Sequence, residues 1–328
     1  MADPISSSAA GPRDTTFRFF SSEQGNSYAK HRLTYHPSLY QIILEHHVST
    51  GGQLGTILDV GCGPGLAVRD LASHFAHAVA IDPSAGMIAA ARSLGGVSSS
   101  QEPIRFEISA AEELGADISP PVRPGSVDLV TAATAAHWFD MPKFWPRAAE
   151  VLKPGGTVAI WCSGNAVIKP STPNAAAVMA AFDRFRDKLE PYLNAGNLLA
   201  RELYVGMPLP WTLDVPVAAF DESTYVRREW NTEGSAQSLD FYANAGALSM
   251  DAMEKLFGTL GPVTRWREAH PEAVGTEHDI VRITRREVEA ALHEAGVEKG
   301  EELVDGAAGS VLMLVKKRFN LKSEARVS

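Results

Sequence analysis

Between residues 56 and 161 short apolar runs alternate with stretches of helical spacing, and this is the strongest pattern in the chain. The runs at 56–60, 78–82, 104–108, 127–131 and 157–161 are rich in Val, Ile, Leu and Ala and are bounded by glycine, proline or acids. Short apolar runs bounded in this way read as buried strands. Residues 66–75, 87–94 and 142–152 carry helical spacing between them, and Lys153-Pro154-Gly155-Gly156 stops the last. Repeated strand–helix units predict a parallel sheet covered on both faces. Upstream, Pro37 separates two predicted helices at 25–35 and 38–48. Downstream the rhythm breaks, with helices predicted at 175–189 and 198–206 and a proline-rich stretch at 207–211. Alternation returns at 223–230, a broken helix follows over 239–260, and a strand at 310–317 would bring the sheet to seven.

Composition narrows the function classes. A chain of 328 residues with 45% hydrophobic and 21% charged residues can bury a core and carry an insertion. Its net charge of -9 opposes binding to phosphate backbones or anionic lipid, so neither nucleic acid nor a membrane is expected as a partner. Cys62 and Cys162 stand far apart without a ligand-spacing pattern, which predicts no disulfide framework and no metal site and suits the cytoplasm. The first fourteen residues read as a loose tail without the apolar stretch of a signal peptide. No run reaches the ~18 apolar residues of a membrane span.

The first strand ends in Asp59-Val60-Gly61-Cys62-Gly63-Pro64-Gly65. In an open α/β sheet the first strand–helix loop lies where ligands bind, and glycine lets backbone approach them closely. A dinucleotide fingerprint needs its third glycine three positions after the second, but position 66 is Leu66, and no Gly-Lys-Ser/Thr follows for a phosphate loop. Asp82, ending the second strand, stands where a carboxylate can accept both hydroxyls of a ribose, although it could equally cap the next helix. Asp59 would repel a pyrophosphate and suits a ligand carrying an ammonium, such as an amino-acid-bearing nucleoside.

Residues 57–65, Asp82, Ser109-Ala110-Ala111-Glu112-Glu113-Leu114, residues 127–140 and Leu152-Lys153-Pro154-Gly155-Gly156 resemble, in order, the landmarks of class I S-adenosylmethionine-dependent methyltransferases. Ala136-His137-Trp138-Phe139-Asp140, with Phe19, Ser21, Tyr28, Ala29, Arg32 and Tyr35 upstream, is similar to the trans-aconitate methyltransferase-like group, which methylates carboxylates of small acids. The resemblance implies a Rossmann-like α/β fold, a seven-stranded mostly parallel sheet with a helical insertion after the fifth strand. It implies S-adenosyl-L-methionine as cofactor, with Gly61 and Gly63 against its methionine part, Asp82 on the ribose, and Ala111 and Glu112 beside the adenine. Relatives often carry an aspartate where Ala110 stands, so a side-chain bond to the adenine amino group is not expected there. The organisation expected is a tail 1–16, an N-terminal helical lid 17–50, a cofactor-binding core 51–162, a helical substrate cap 163–222, a completion of the sheet 223–320 and a tail 321–328.

Tyr28, Arg32 and Tyr35 share one face at i, i+4, i+7 and are read as a lid, with Arg32 on a carboxylate and Tyr28 offering its ring to the sulfonium; an ordinary amphipathic helix explains the same spacing. His137 follows the fourth strand and is the expected catalytic residue, as a binder of a carboxylate or as a base for a hydroxyl. Trp138, Arg201, Tyr204 and Trp211 are expected to line the acceptor pocket, or else to serve as core and surface residues. The first expectation is an O-methyltransferase for a small carboxylate. A hydroxyl-, thiol- or amine-directed enzyme is favoured instead if the insertion encloses a bulky apolar pocket, and an inactive binding subunit is the non-enzyme reading. The oligomeric state is left open.

Overall fold

The computed structural model describes residues 20–232, 241–243 and 246–319. The expected tails and part of the predicted helix at 239–260 lie outside them. Two helices, α1 (Ser22–His31) and α2 (Pro37–Ser49), precede the strand–helix series β1 (Thr56–Val60), α3 (Leu66–Ala72), β2 (His77–Asp82), α4 (Ala85–Leu94), β3 (Arg105–Ile108), β4 (Val127–Ala133), α5 (Met141–Val151) and β5 (Leu152–Ile168). Then come α6 (Ala175–Leu189), α7 (Ala195–Arg201), β6 (Phe220–Trp230), β7 (Leu248–Ser249), α8 (Met250–Phe257), α9 (Gly261–Ala269), α10 (Ile280–Glu294), β8 (Leu303–Val304) and β9 (Gly306–Lys317).

Seven strands form one sheet in the order β3-β2-β1-β4-β5-β9-β6. The first five are parallel, and β9 runs antiparallel to both β5 and β6. Period-two alternation divides the side chains between two cores. Leu58, Val60, Val130, Val158 and Ile160 face α5 and the 199–217 segment, whereas Ile57, Leu129, Ala159 and Trp161 face α2, α3 and α4. A third core lies beyond the sheet, where α6, α8 and α10 pack through Val178, Phe182, Met253, Val288 and Leu292 against Ile168 and Val304.

Several elements differ from the expectation for physical reasons. The first helix starts earlier and ends at His31, because Ser21 and Gln24 form a reciprocal capping box and Arg32 is already extended. Tyr35 therefore stands on extended chain, and the predicted i, i+4, i+7 face does not exist. The fifth strand runs on to Ile168, paired with β9 down to Gly306, so the boundary expected at 163 falls inside a strand. The helix predicted at 198–206 is α7, which starts at its own capping box of Asn194 and Asn197. The long amphipathic α10 went unpredicted, although Ile280, Val281, Thr284, Val288, Ala291 and Leu292 carry helical spacing on its buried face. No described helix is long and apolar enough to cross a membrane.

Candidate active site

Strand order reverses at β1, which lies between β2 and β4, and the crevice at the carboxyl ends of β1 and β4 opens into a cavity of about 540 Å³. Two glycines of the loop after β1 serve it differently. Gly61 (φ +65°) sits where a Cβ would come within 2.6 Å of the Ala135 Cβ, so the loop presses against the turn after β4. Gly63 (φ +53°) has nothing within 4 Å of where its Cβ would be, and lines the cavity with bare backbone. Asp82 holds this loop: its Oδ2 accepts the Gly63 N–H at 2.9 Å and its Oδ1 the Ser84 N–H at 2.8 Å. An ionised carboxylate has about four lone-pair positions, which leaves two on a residue that faces the cavity. Burial pushes the Asp82 carboxyl up to about 6.

Asp59 does not meet the cavity; it is fully buried in β1, behind the glycine loop. Its Oδ1 accepts the Thr131 hydroxyl at 2.6 Å, and its Oδ2 has no hydrogen-bond partner among the described residues. Burial pushes this carboxyl up to about 7. The direct contact with an ammonium that the sequence suggested has no Asp59 side chain in the cavity wall to make it. Ala111 and Glu112 do line the cavity, and the Glu112 Oε1 accepts the Asp140 N–H at 2.8 Å, tying this edge to the 136–140 turn.

From the amino-terminal side, Tyr28, Arg32 and Tyr35 all reach the cavity wall, but not as a helix face. The Arg32 guanidinium lies over the Tyr28 ring, 4.6 Å from its centroid, and donates through Nη2 to the Thr259 carbonyl at 3.2 Å; its buried Nε has no partner among the described residues. One face of the Tyr28 ring is thus already taken by a cation. The Tyr35 hydroxyl hydrogen-bonds Thr134 Oγ1 at 2.8 Å, fixing a residue with φ +50° at the end of β4.

His137 lies in the cavity wall on the 3₁₀ turn Ala136–Trp138, its Nδ1 2.7 Å from the Tyr204 hydroxyl. Trp138 lines the cavity beside it, ring centroids 4.4 Å apart. Tyr204, expected in the pocket wall, instead stands behind His137 and is only 2% exposed. Arg201 lines the cavity but pairs with Glu190 at 2.9 Å, and Trp211 packs on Tyr225 away from it.

The far end of the cavity was not foreseen. Ile168 from β5, Phe182, Phe185 and Leu189 from α6, Met253 and Phe257 from α8, and Val304 from β8 make an apolar and aromatic chamber. Among the described residues, three carboxylates (Asp82, Glu112, Glu190) and three guanidiniums (Arg32, Arg186, Arg201) line the cavity, so their charges balance. Arg186 and Arg201 are each paired to an acid of their own, Asp183 and Glu190. The spacing of Phe182, Phe185 and Leu189 on α6 was legible, but as a core face.

The methyltransferase domain family matches residues 58–160, the span that carries the glycine loop, Asp82 and His137. A methyltransferase of Aspergillus candidus, cfoB, is 34% identical over 226 residues, 67% of this chain and 68% of its own length. The chain belongs to the class I S-adenosylmethionine-dependent methyltransferases. Saccharomyces cerevisiae CRG1, named as an S-adenosylmethionine-dependent methyltransferase, is 26% identical over 81% of this chain and 87% of its own. A Dictyostelium discoideum protein named for methyl transfer is 33% identical, but this chain spans only 59% of its length. The solved structure of a candidate type II methyltransferase from Anaeromyxobacter dehalogenans shares the fold, with a TM-score of 0.55 at 22% identity over 88% of this chain and 97% of that one. The glycine cradle at Gly63 and the two open lone-pair positions of Asp82 fit the cofactor of this methyltransferase family.

Proposed function

We propose that this methyltransferase methylates a hydroxyl on a bulky, largely apolar metabolite, with His137 as the general base. In this reading Gly61, Gly63, Asp82, Ala111 and Glu112 hold S-adenosylmethionine, Tyr28 and Arg32 close over it, and Asp59 tunes the loop from behind. The cofactor, when bound, supplies an electrophilic methyl group. The chain's own residues align the acceptor, exclude water and take a proton.

The observation that carries the acceptor class is the chamber of Phe182, Phe185, Leu189, Met253 and Phe257. A small di- or tricarboxylate would need cations to offset its lost hydration, and Arg186 and Arg201 are already matched by acids. An apolar body gains roughly 25 cal/mol for each Å² it buries there. A hydroxyl must lose its proton, and His137 lines the cavity next to the turn after β4. The carboxylate reading, nearer to the trans-aconitate methyltransferase-like group, draws support from the Arg32 Nε, which has no partner among the described residues. The proposal includes a small-molecule acceptor in the cytoplasm and neither nucleic acid nor membrane, supported by the net charge of -9.

The test is transfer of labelled methyl from S-adenosylmethionine to a panel of aromatic hydroxyl compounds and polycarboxylates, followed by mild alkali. Base-stable label on the aromatic hydroxyls is the expected result. Base-labile label on the acids would mean methyl esters and would overturn the hydroxyl reading.

A further inference from the structure

Tyr204 is a tyrosine that the cavity does not use directly, yet its hydroxyl is held at 2.7 Å from the His137 Nδ1. The chain is bent to put it there. Leu203 and Tyr204 both have positive φ, +51° and +62°, a conformation that non-glycine residues rarely adopt. The Tyr204 N–H is anchored on the Leu199 carbonyl at 2.9 Å, and its own carbonyl accepts the Met207 N–H at 3.1 Å. On the other side of the 3₁₀ turn, α7 comes so close that a Cβ on Gly196 would lie 2.7 Å from the His137 carbonyl oxygen and 2.6 Å from the Trp138 ring. The imidazole is therefore clamped between the Trp138 ring and the Tyr204 hydroxyl.

The hydrogen-bond direction follows from the role proposed for His137. A neutral imidazole that takes a proton at Nε2 must carry its own proton on Nδ1, so the Tyr204 oxygen, 2.7 Å away, has to accept it. Burial keeps the Tyr204 phenol protonated. Its oxygen still has lone pairs with which to accept the Nδ1–H. We infer that Tyr204 is a positioning residue: it accepts the His137 Nδ1–H and so fixes the tautomer with an unprotonated Nε2, the nitrogen that takes the proton of the methyl acceptor.

This inference rests on the proposal that His137 is a general base, and it supplies the proton balance. As the new O–CH₃ bond forms, the acceptor O–H bond breaks and its proton passes to Nε2, while the pair of the broken S–CH₃ bond stays on sulfur. The imidazolium keeps its Nδ1–H on Tyr204 and then releases the Nε2 proton to water.

The first test is ¹⁵N NMR of the histidine-labelled wild-type protein, with the His137 signals assigned by their loss in His137→Ala. At neutral pH the inference expects a protonated Nδ1 and an unprotonated Nε2; the opposite tautomer would overturn it without any mutation near Tyr204. The kinetic test is Tyr204→Phe, which keeps the ring. It should lower kcat at least about tenfold, within the ~10²–10⁴ attributed to general bases, with acceptor KM and cofactor Kd near wild type. The acidic limb of the kcat profile should move to lower pH, because the imidazolium loses an acceptor. In His137→Ala, adding Tyr204→Phe should change nothing further. If His137→Ala itself keeps wild-type kcat, the base proposal fails; if only Tyr204→Phe keeps wild-type kcat and profile, the positioning role alone fails.

Discussion

At the glycine-loop end of the cavity, the wall comes from turns that follow successive strands: residues 61–64 after β1, 82–83 after β2, 110–112 after β3 and 133–139 after β4. At the other end it comes from β5, α6, α8 and β8, elements far apart in sequence that meet through the third hydrophobic core and through the stacked rings of Phe185 and Phe257. The first end works with backbone amides and a buried carboxylate, so its specificity is written in hydrogen bonds. The second works with shape and apolar area. On the proposed function, differences of this kind leave one end fixed by a shared cofactor while the other is free to vary with the acceptor.

The sharpest way to break this comparison is to remove the carboxylate. Asp82→Ala should weaken S-adenosylmethionine binding by about 1.5–3 kcal/mol, the range for hydrogen bonds to a charged group, and leave acceptor KM at saturating cofactor nearly unchanged. Calorimetric titration of the folded variant checks it, and an unchanged Kd would remove Asp82 from the cofactor site.

A comparable effect is expected at the other end, with the opposite signature. Phe257→Ala opens the chamber where α8 meets α6 and should raise acceptor KM roughly ten- to a hundredfold, from about 1.5–3 kcal/mol of lost aromatic burial, while cofactor Kd stays the same. Equal losses in both constants would show that the two ends are one coupled structure.

Proton linkage gives a smaller effect. Asp82 is pushed up to about 6 and Asp59 to about 7, above the ordinary 3.8 of both. The folded apo protein therefore binds more protons than the unfolded chain between about pH 4 and 7, and these groups' contribution to stability falls as pH rises through that window. Cofactor binding that requires an ionised Asp82 should run the other way, strengthening by roughly tenfold from pH 5 to 7 and levelling above. Titrations in buffers of different ionisation enthalpy should register proton release near pH 6. A pH-independent Kd would contradict the role of Asp82. Smallest of all, Arg201→Ala should change acceptor KM less than about twofold, because an exposed ion pair contributes ~0–1 kcal/mol; a large rise would favour a carboxylate acceptor.

The same contrast explains what could be read from the chain. Strands β1 to β5, the glycine loop and Asp82 were legible because each is encoded by a contiguous run whose period or punctuation is local. Arg32 and Tyr35 were named, yet their arrangement was not, since the chain is already extended at Arg32 and α1 ends at His31, before either residue. Phe182, Phe185, Met253 and Phe257 fell within predicted helices, and nothing in their spacing says that α6 and α8 leave a space between them. Tyr204 was picked out as a pocket residue and lies one layer deeper, because the positive φ angles of Leu203 and Tyr204 turn it under His137, and no motif announces such a bend.

The most direct test of the account is kcat/KM for methyl transfer to a graded series of aromatic hydroxyl compounds of increasing apolar area, at saturating S-adenosylmethionine. The account predicts that kcat/KM rises with apolar area until the chamber is filled, and that the cofactor Kd is the same throughout. A series that is flat in apolar area, with small polycarboxylates turned over faster than any member, would contradict it.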